Sequence, residues 1–212
     1  AKGFMKIAAA SPKTKTGDAH SNVLEMIKIL KEVEEKKASI LVFPELGICG
    51  YSIGDLIFQD YLYRDNLNAI AYLLKHNPFS GVALVGTYLM SNDLIYNCCI
   101  VIQKDKILGI VPKYYLPHSY EFYESRWFAP GTDYKGLTFH LFGQDIPFGK
   151  IVFQSPDRNA NFAVEVCEDM WAPISPNERL YANGAMMVFN LSASPEYIGK
   201  EDRRLMIAKS TS

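Results

Sequence analysis

Apolar residues arrive along this chain in two rhythms: short unbroken runs, and stretches where they recur every three or four positions. Phe4 to Ala10 is a run that predicts a short buried strand, and the turn-rich stretch Ser11 to Gly17 leads to Asp18, a candidate helix cap. From Asp18 to Lys37, Val23, Met26, Ile27, Leu30 and Val33 share one helical face while charges fill the other, so a helix resting on a sheet is expected. Ser39 to Glu45 reads as a second strand. Pro44 stops it, because its ring removes a ladder donor, and this leaves Glu45 at the strand's carboxyl end. After a loop from Leu46 to Gly54, Asp55 to Lys75 returns to helical spacing and Val82 to Met90 to strand.

The middle of the chain changes character. Ile95 to Gln103 and Lys106 to Pro112 are separated by Lys104 and Asp105, a hairpin-length turn, which predicts antiparallel neighbours. Lys113 to Gly136 is a long aromatic and polar segment, of a size that usually serves a site. Its aromatics Tyr114, Tyr115, Tyr120, Phe122, Tyr123, Trp127 and Phe128 are expected to wall a small pocket or to pack the loop. Gly136 to Phe142, Lys150 to Gln154, Asn161 to Cys167 and Gly184 to Ser194 are further strand candidates, and Gly199 to Ser212 reads as a helix. The pattern predicts an α/β fold of mixed sheets with helices on the outer faces. One domain is expected over 1–212, incomplete because the chain stops inside an amphipathic helix without a cap.

Charge and composition narrow the function classes. The 22 basic and 23 acidic residues nearly cancel, which disfavours nucleic acid or an anionic membrane as partner. No apolar run approaches a membrane span, and a soluble, cytoplasmic protein is expected. Cys49, Cys98, Cys99 and Cys167 form no CxxC pair, and the four histidines are scattered without metal-ligand spacing, so neither disulfides nor a metal are expected.

Three residues stand at strand ends. Cys167 follows the apolar strand FAVEV and precedes Glu168 and Asp169, so its sulfur should lie where a strand opens into a loop. An arbitrary cysteine is more often a small buried hydrophobe, and Cys98 and Cys99 are read that way. Glu45 would give up water at the end of a buried strand, a setting that suits a proton shuttle, although such carboxylates more often cap a helix or pair with a lysine. Lys113 closes GIVPK, and singly it reads as an ordinary solvated lysine.

In combination these residues carry more. The blocks FPELGICGYS (Phe43 to Ser52), PKYYLPHSYEFYESRWFAPG (Pro112 to Gly131) and VEVCEDMW (Val164 to Trp171) resemble, in order, the three catalytic segments of the nitrilase (carbon-nitrogen hydrolase) superfamily. LPHSYEFYESRWFAPG, and VEVCEDMW with NLSASPEYIGKEDRR, resemble more particularly the glutaminase domains of glutamine-dependent NAD(+) synthetases, and this resemblance spans essentially the whole chain. It implies an α-β-β-α sandwich, truncated before completion, and a Glu-Lys-Cys triad at Glu45, Lys113 and Cys167. Glu124 would be a supporting carboxylate, with Tyr51, Glu168, Trp171 and Ser194 near the substrate. The implied reaction is hydrolysis of glutamine to glutamate and ammonia through a cysteine thioester, with no cofactor for that step. Such proteins continue into a C-terminal synthetase domain that uses ATP and Mg and carries an SGGxDS phosphate loop, and nothing like SGGxDS occurs in these residues. A homo-oligomer is also implied. The competing expectations are another amidase or carbamoylase of the same superfamily, and a non-catalytic scaffold that keeps the fold.

Overall fold

The computed structural model describes residues 4–118, 122–156 and 160–211. A five-stranded sheet has the order β1-β2-β3-β4-β5, built from Ile7–Ala9, Ile40–Val42, Val82–Ser91, Leu94–Gln103 and Lys106–Pro112. The first three strands are parallel and the next two antiparallel, so β2 and β5 end on the same side of the molecule. A second sheet has the order β10-β9-β8, from Met187–Leu191, Asn161–Val166 and Val152–Gln154, with β9 and β10 parallel. A small hairpin pairs β6 (Thr138–Leu141) with β7 (Gln144–Pro147).

Side-chain alternation assigns the layers. On one face of the larger sheet, Leu41, Ala83, Val85, Ile100 and Ile102 meet Val23, Met26 and Leu30 of α1 (Ala19–Glu35) and Ala69, Ile70 and Leu73 of α2 (Asp60–His76). Their strand neighbours Ile40, Leu84, Cys99 and Val101 point the other way, against Phe153, Phe162, Val164 and Val166 of the second sheet. The outer face of that sheet, through Ala163 and Val188, packs on Leu180 of α4 (Pro176–Ala182). The result is the expected α-β-β-α sandwich. Because β3 and β4 are covered on both faces, they appear in the sequence as unbroken apolar runs and not as alternating ones.

Local signals explain most element ends. Asp18 caps α1 by accepting from the Ser21 N–H at 3.1 Å. Several expectations need correction. The first strand is three residues at a sheet edge, with Phe4 90% exposed, so it is not a buried run. The Leu46-to-Gly54 loop runs into a 3-10 segment, Tyr51–Phe58, and the second helix begins only at Asp60. Asn92 and Asp93, both at positive φ, close a β3–β4 hairpin that the apolar pattern did not announce. Strand β7 and helix α4 were also unforeseen, although Ser175 and Pro176 form a regular helix start. The long aromatic segment contains a short helix, α3 (Glu124–Trp127), while Tyr120 lies outside the described residues. The final helix, α5, spans Lys200–Thr211; Ser212, the last residue expected in it, is outside the described residues.

Candidate active site

The carboxyl ends of β2, β5, β9 and β10 converge, and each delivers one part of a buried polar cluster. Lys113 follows β5 directly and is fully buried. Its Nζ donates to Glu45 Oε1 and to Glu124 Oε1, both at 2.7 Å. Glu45 Oε1 also accepts from Asn97 Nδ2 at 2.7 Å, and Oε2 accepts from the Ala193 N–H beyond β10 at 3.0 Å. Tyr51 donates its hydroxyl proton to Glu124 Oε1 at 2.6 Å. Four separate segments thus hold two carboxylates around one ammonium. Hydrogen bonds to both Glu45 oxygens and to Glu124 Oε1 offset the desolvation of buried charge, while Glu124 Oε2 is buried without a hydrogen-bond partner.

Close backbone approach makes room for Glu45. A Cβ on Gly86 would lie 2.3 Å from the Pro44 carbonyl oxygen and 2.5 Å from the Leu46 nitrogen, so β3 can carry only glycine where the Glu45 turn crosses it. Leu46 takes a positive φ of 50° to complete that turn.

Cys167 sits immediately after β9, at the start of a 3-10 turn, with φ of 45° in the left-handed region. A non-glycine residue in this conformation stores strain and is held by its surroundings. Asn190 Nδ2 donates to the Cys167 carbonyl at 3.2 Å, and Asp169 accepts from the Val166 N–H at 3.2 Å. The thiol is pushed up to about 12, first by burial and then by the Glu45 charge close to it, with Lys113 opposing. Burial alone would lower the Lys113 ammonium, but Glu45 and Glu124 outweigh it and hold the group above the ordinary lysine range. Burial raises Glu124, against the pull of Lys113. The resting cluster therefore holds a neutral thiol beside a firmly protonated lysine.

A cleft of about 770 Å³ opens onto Glu45 and Tyr51 and is lined also by Gly47, Asn190, Ser192, Ser194 and Arg204. Its size suits a small polar metabolite. Of the residues expected near a substrate, Tyr51 and Ser194 line it. Glu168 and Trp171 do not; Glu168 is half-buried beside the cluster, and Trp171 lies beneath Lys200 and Arg203, each 5.7 Å from its ring centre. The aromatic segment does not wall this cleft among the described residues. Phe128 and Trp127 instead pack with Leu46, Ile53 and Tyr88, and Tyr123 is exposed, because the chain folds back along β4 through the Ala129 N–H to the Ile95 carbonyl. Sequence reasoning missed Asn97, Asp169 and Asn190. A signal existed for Asn97, a polar residue within an otherwise apolar strand. Among the described residues no group of three or more His, Cys, Asp and Glu could hold a metal ion.

A mixed α-β-β-α sandwich with a buried carboxylate, ammonium and thiol at its strand ends has the architecture of carbon-nitrogen hydrolases. The sequence pattern of that family matches residues 6–210, and the chain belongs to it. The chain is 36% identical over 213 residues to glutamine-dependent NAD(+) synthetase of Mycobacterium tuberculosis strain H37Rv, covering 99% of this chain and 31% of that protein. Its fold is similar to that of a glutamine-dependent NAD(+) synthetase from Cytophaga hutchinsonii, with TM-score 0.84 and 24% identity, over 98% of this chain and 33% of that one. It also resembles an amidase from Nesterenkonia sp., with TM-score 0.74 and 15% identity, over 97% of this chain and 71% of that one. The chain thus spans about a third of the length of the synthetases it resembles.

Proposed function

We propose that this chain hydrolyses the side-chain amide of glutamine through Cys167 and supplies the ammonia to a synthetase domain of the longer protein. The observation that carries the reading is the buried Lys113 ammonium bonded at 2.7 Å to both Glu45 and Glu124, with the buried Cys167 thiol close enough that the Glu45 and Lys113 charges act on it. Similarity to proteins named for glutamine-dependent NAD(+) synthesis supports glutamine as the amide and deamido-NAD, activated with ATP and Mg, as the ammonia acceptor.

Since the thiol is neutral at rest, its proton passes to Glu45 as sulfur attacks the amide carbon. The C=O π pair moves to oxygen. Two of the three Lys113 N–H groups are engaged by Glu45 and Glu124, which leaves the third for this oxyanion, together with the backbone N–H after Cys167. Glu45 then returns the proton to the departing nitrogen, the C–N bond breaks, and ammonia leaves a glutamyl thioester. Water, deprotonated by Glu45, attacks the thioester carbon; the C–S bond breaks, glutamate departs, and the sulfur regains its proton. Glu124, bonded to Lys113 and Tyr51, keeps the ammonium charged and oriented throughout.

A glutamine-shaped diazoketone tests the assignment. Peptide mapping is expected to find the label on Cys167, with glutamine protecting and asparagine failing to protect. A label confined to Cys49, Cys98 or Cys99 contradicts the nucleophile, and protection by a different amide contradicts the substrate.

A further inference from the structure

Asp169 is fully buried and absent from the chemistry above, yet its carboxylate joins the two segments that carry that chemistry. Oδ1 accepts from the N–H groups of Tyr114 and Tyr115 at 3.0 and 2.8 Å, the two residues after Lys113. Oδ2 accepts from the Val166 N–H at 3.2 Å, the residue before Cys167. Each oxygen thus serves a different sheet: Oδ1 takes the loop leaving β5, and Oδ2 takes the end of β9.

The space between the sheets here is filled by apolar side chains, Val111, Val164 and Val166 among them. Dispersion and burial set how far apart the sheets lie but have little directionality, whereas three hydrogen bonds on one carboxylate fix how β9 slides along β5. Cys167 needs such fixing, because its left-handed backbone is strained and relaxes if the turn is released. We infer that Asp169 is a positioning residue that registers the Cys167 turn against Lys113, and so places the sulfur beside Glu45. The inference rests on the reading of Cys167 as nucleophile, but the register itself is measurable without catalysis.

Asp169→Asn and Asp169→Ala separate the two halves of this clamp. The asparagine oxygen still accepts from Tyr114 and Tyr115, but its amide meets the Val166 N–H donor to donor; the alanine removes both halves. For glutamine hydrolysis, kcat is expected to fall about 10-fold in the first and about 100-fold in the second, the scale of an ångström-sized misplacement. KM should stay within about twofold, since Asp169 does not line the cleft. Independently of turnover, iodoacetamide labelling of Cys167 at alkaline pH is expected to quicken at least about fivefold as the sulfur leaves Glu45. Buried Cys98 and Cys99 should remain unlabelled, which distinguishes lost register from unfolding. Wild-type kcat and wild-type Cys167 labelling in folded Asp169→Asn would overturn the inference. A wild-type chain that releases no ammonia contradicts the proposed function instead, and the labelling comparison still decides the clamp.

Discussion

Lys113 and Glu45 lie 68 residues apart in the chain and meet with Nζ and Oε1 2.7 Å apart, both wholly withdrawn from solvent. Glu124 approaches the same ammonium at the same distance. Removing the cation would leave two carboxylates facing each other in a dry site. Lys113→Ala is therefore expected to cost about 3–5 kcal/mol in denaturant unfolding, the scale for breaking a buried pair, and to abolish turnover. A loss under about 1 kcal/mol would mean that water or a shift of Glu124 dissipates the charge.

Opposite responses are expected from the thiol and from catalysis when Glu45 is neutralised. In Glu45→Gln the negative neighbour that helps push Cys167 up to about 12 is gone, so Cys167 alkylation at fixed alkaline pH should accelerate. Glutamine hydrolysis should nevertheless fall by about 10² to 10⁴, the usual contribution of a general base. Parallel loss of both would place Glu45 in a purely structural role.

Burial, opposed by its backbone hydrogen bonds, raises the Asp169 carboxyl to about 7 from an ordinary 3.8. The folded state then holds this proton more tightly than the unfolded chain, so the stability it lends is full below about pH 4 and is lost as pH rises through about 7. The unfolding free energy of wild type minus that of Asp169→Asn is expected to decline over that window by several kcal/mol, at about 1.4 kcal/mol for each pH unit crossed. Denaturant titrations at a series of pH values measure it; a flat difference would mean that the carboxyl ionises as it does in water.

Gly86→Ala tests the close crossing at Glu45. The added methyl would sit 2.3 Å from the Pro44 oxygen and 2.8 Å from the Glu45 carbonyl carbon, all main chain, so the turn itself must move. We expect about 1–3 kcal/mol of destabilisation and a fall in kcat larger than any change in KM. Unchanged melting and activity would show that the crossing has slack.

The elements that local patterning revealed are those whose causes are local. The Asp18 cap, the apolar stripe of α1, and the stop at Pro44 each follow from neighbours within a turn or two. Glu45, Lys113 and Cys167 could be placed at strand ends for the same reason, and ordered family segments joined them. What escaped notice depends on partners far away in sequence. Asp169 is explained by the main chain at Tyr114 and Tyr115, and Asn190 by the carbonyl of Cys167. For the aromatic segment the sequence left pocket wall and loop packing both open, because an aromatic run does not disclose which surface it folds against; Phe128 packs with Leu46 and Tyr88, not the cleft. The Asn92–Asp93 and Phe142–Gly143 turns require positive φ; Asn, Asp and Gly mark them in the sequence, but weakly beside the apolar runs that flank them.

In the proposed function, Cys167, with Glu45 and Lys113, cleaves the amide of glutamine. The direct measurement is the release of ammonia and glutamate from glutamine by this chain and by its Cys167→Ala variant, with asparagine and simple amides alongside. Equimolar products are expected from glutamine with the native cysteine and none above background without it. Equal rates from the two proteins would contradict that function.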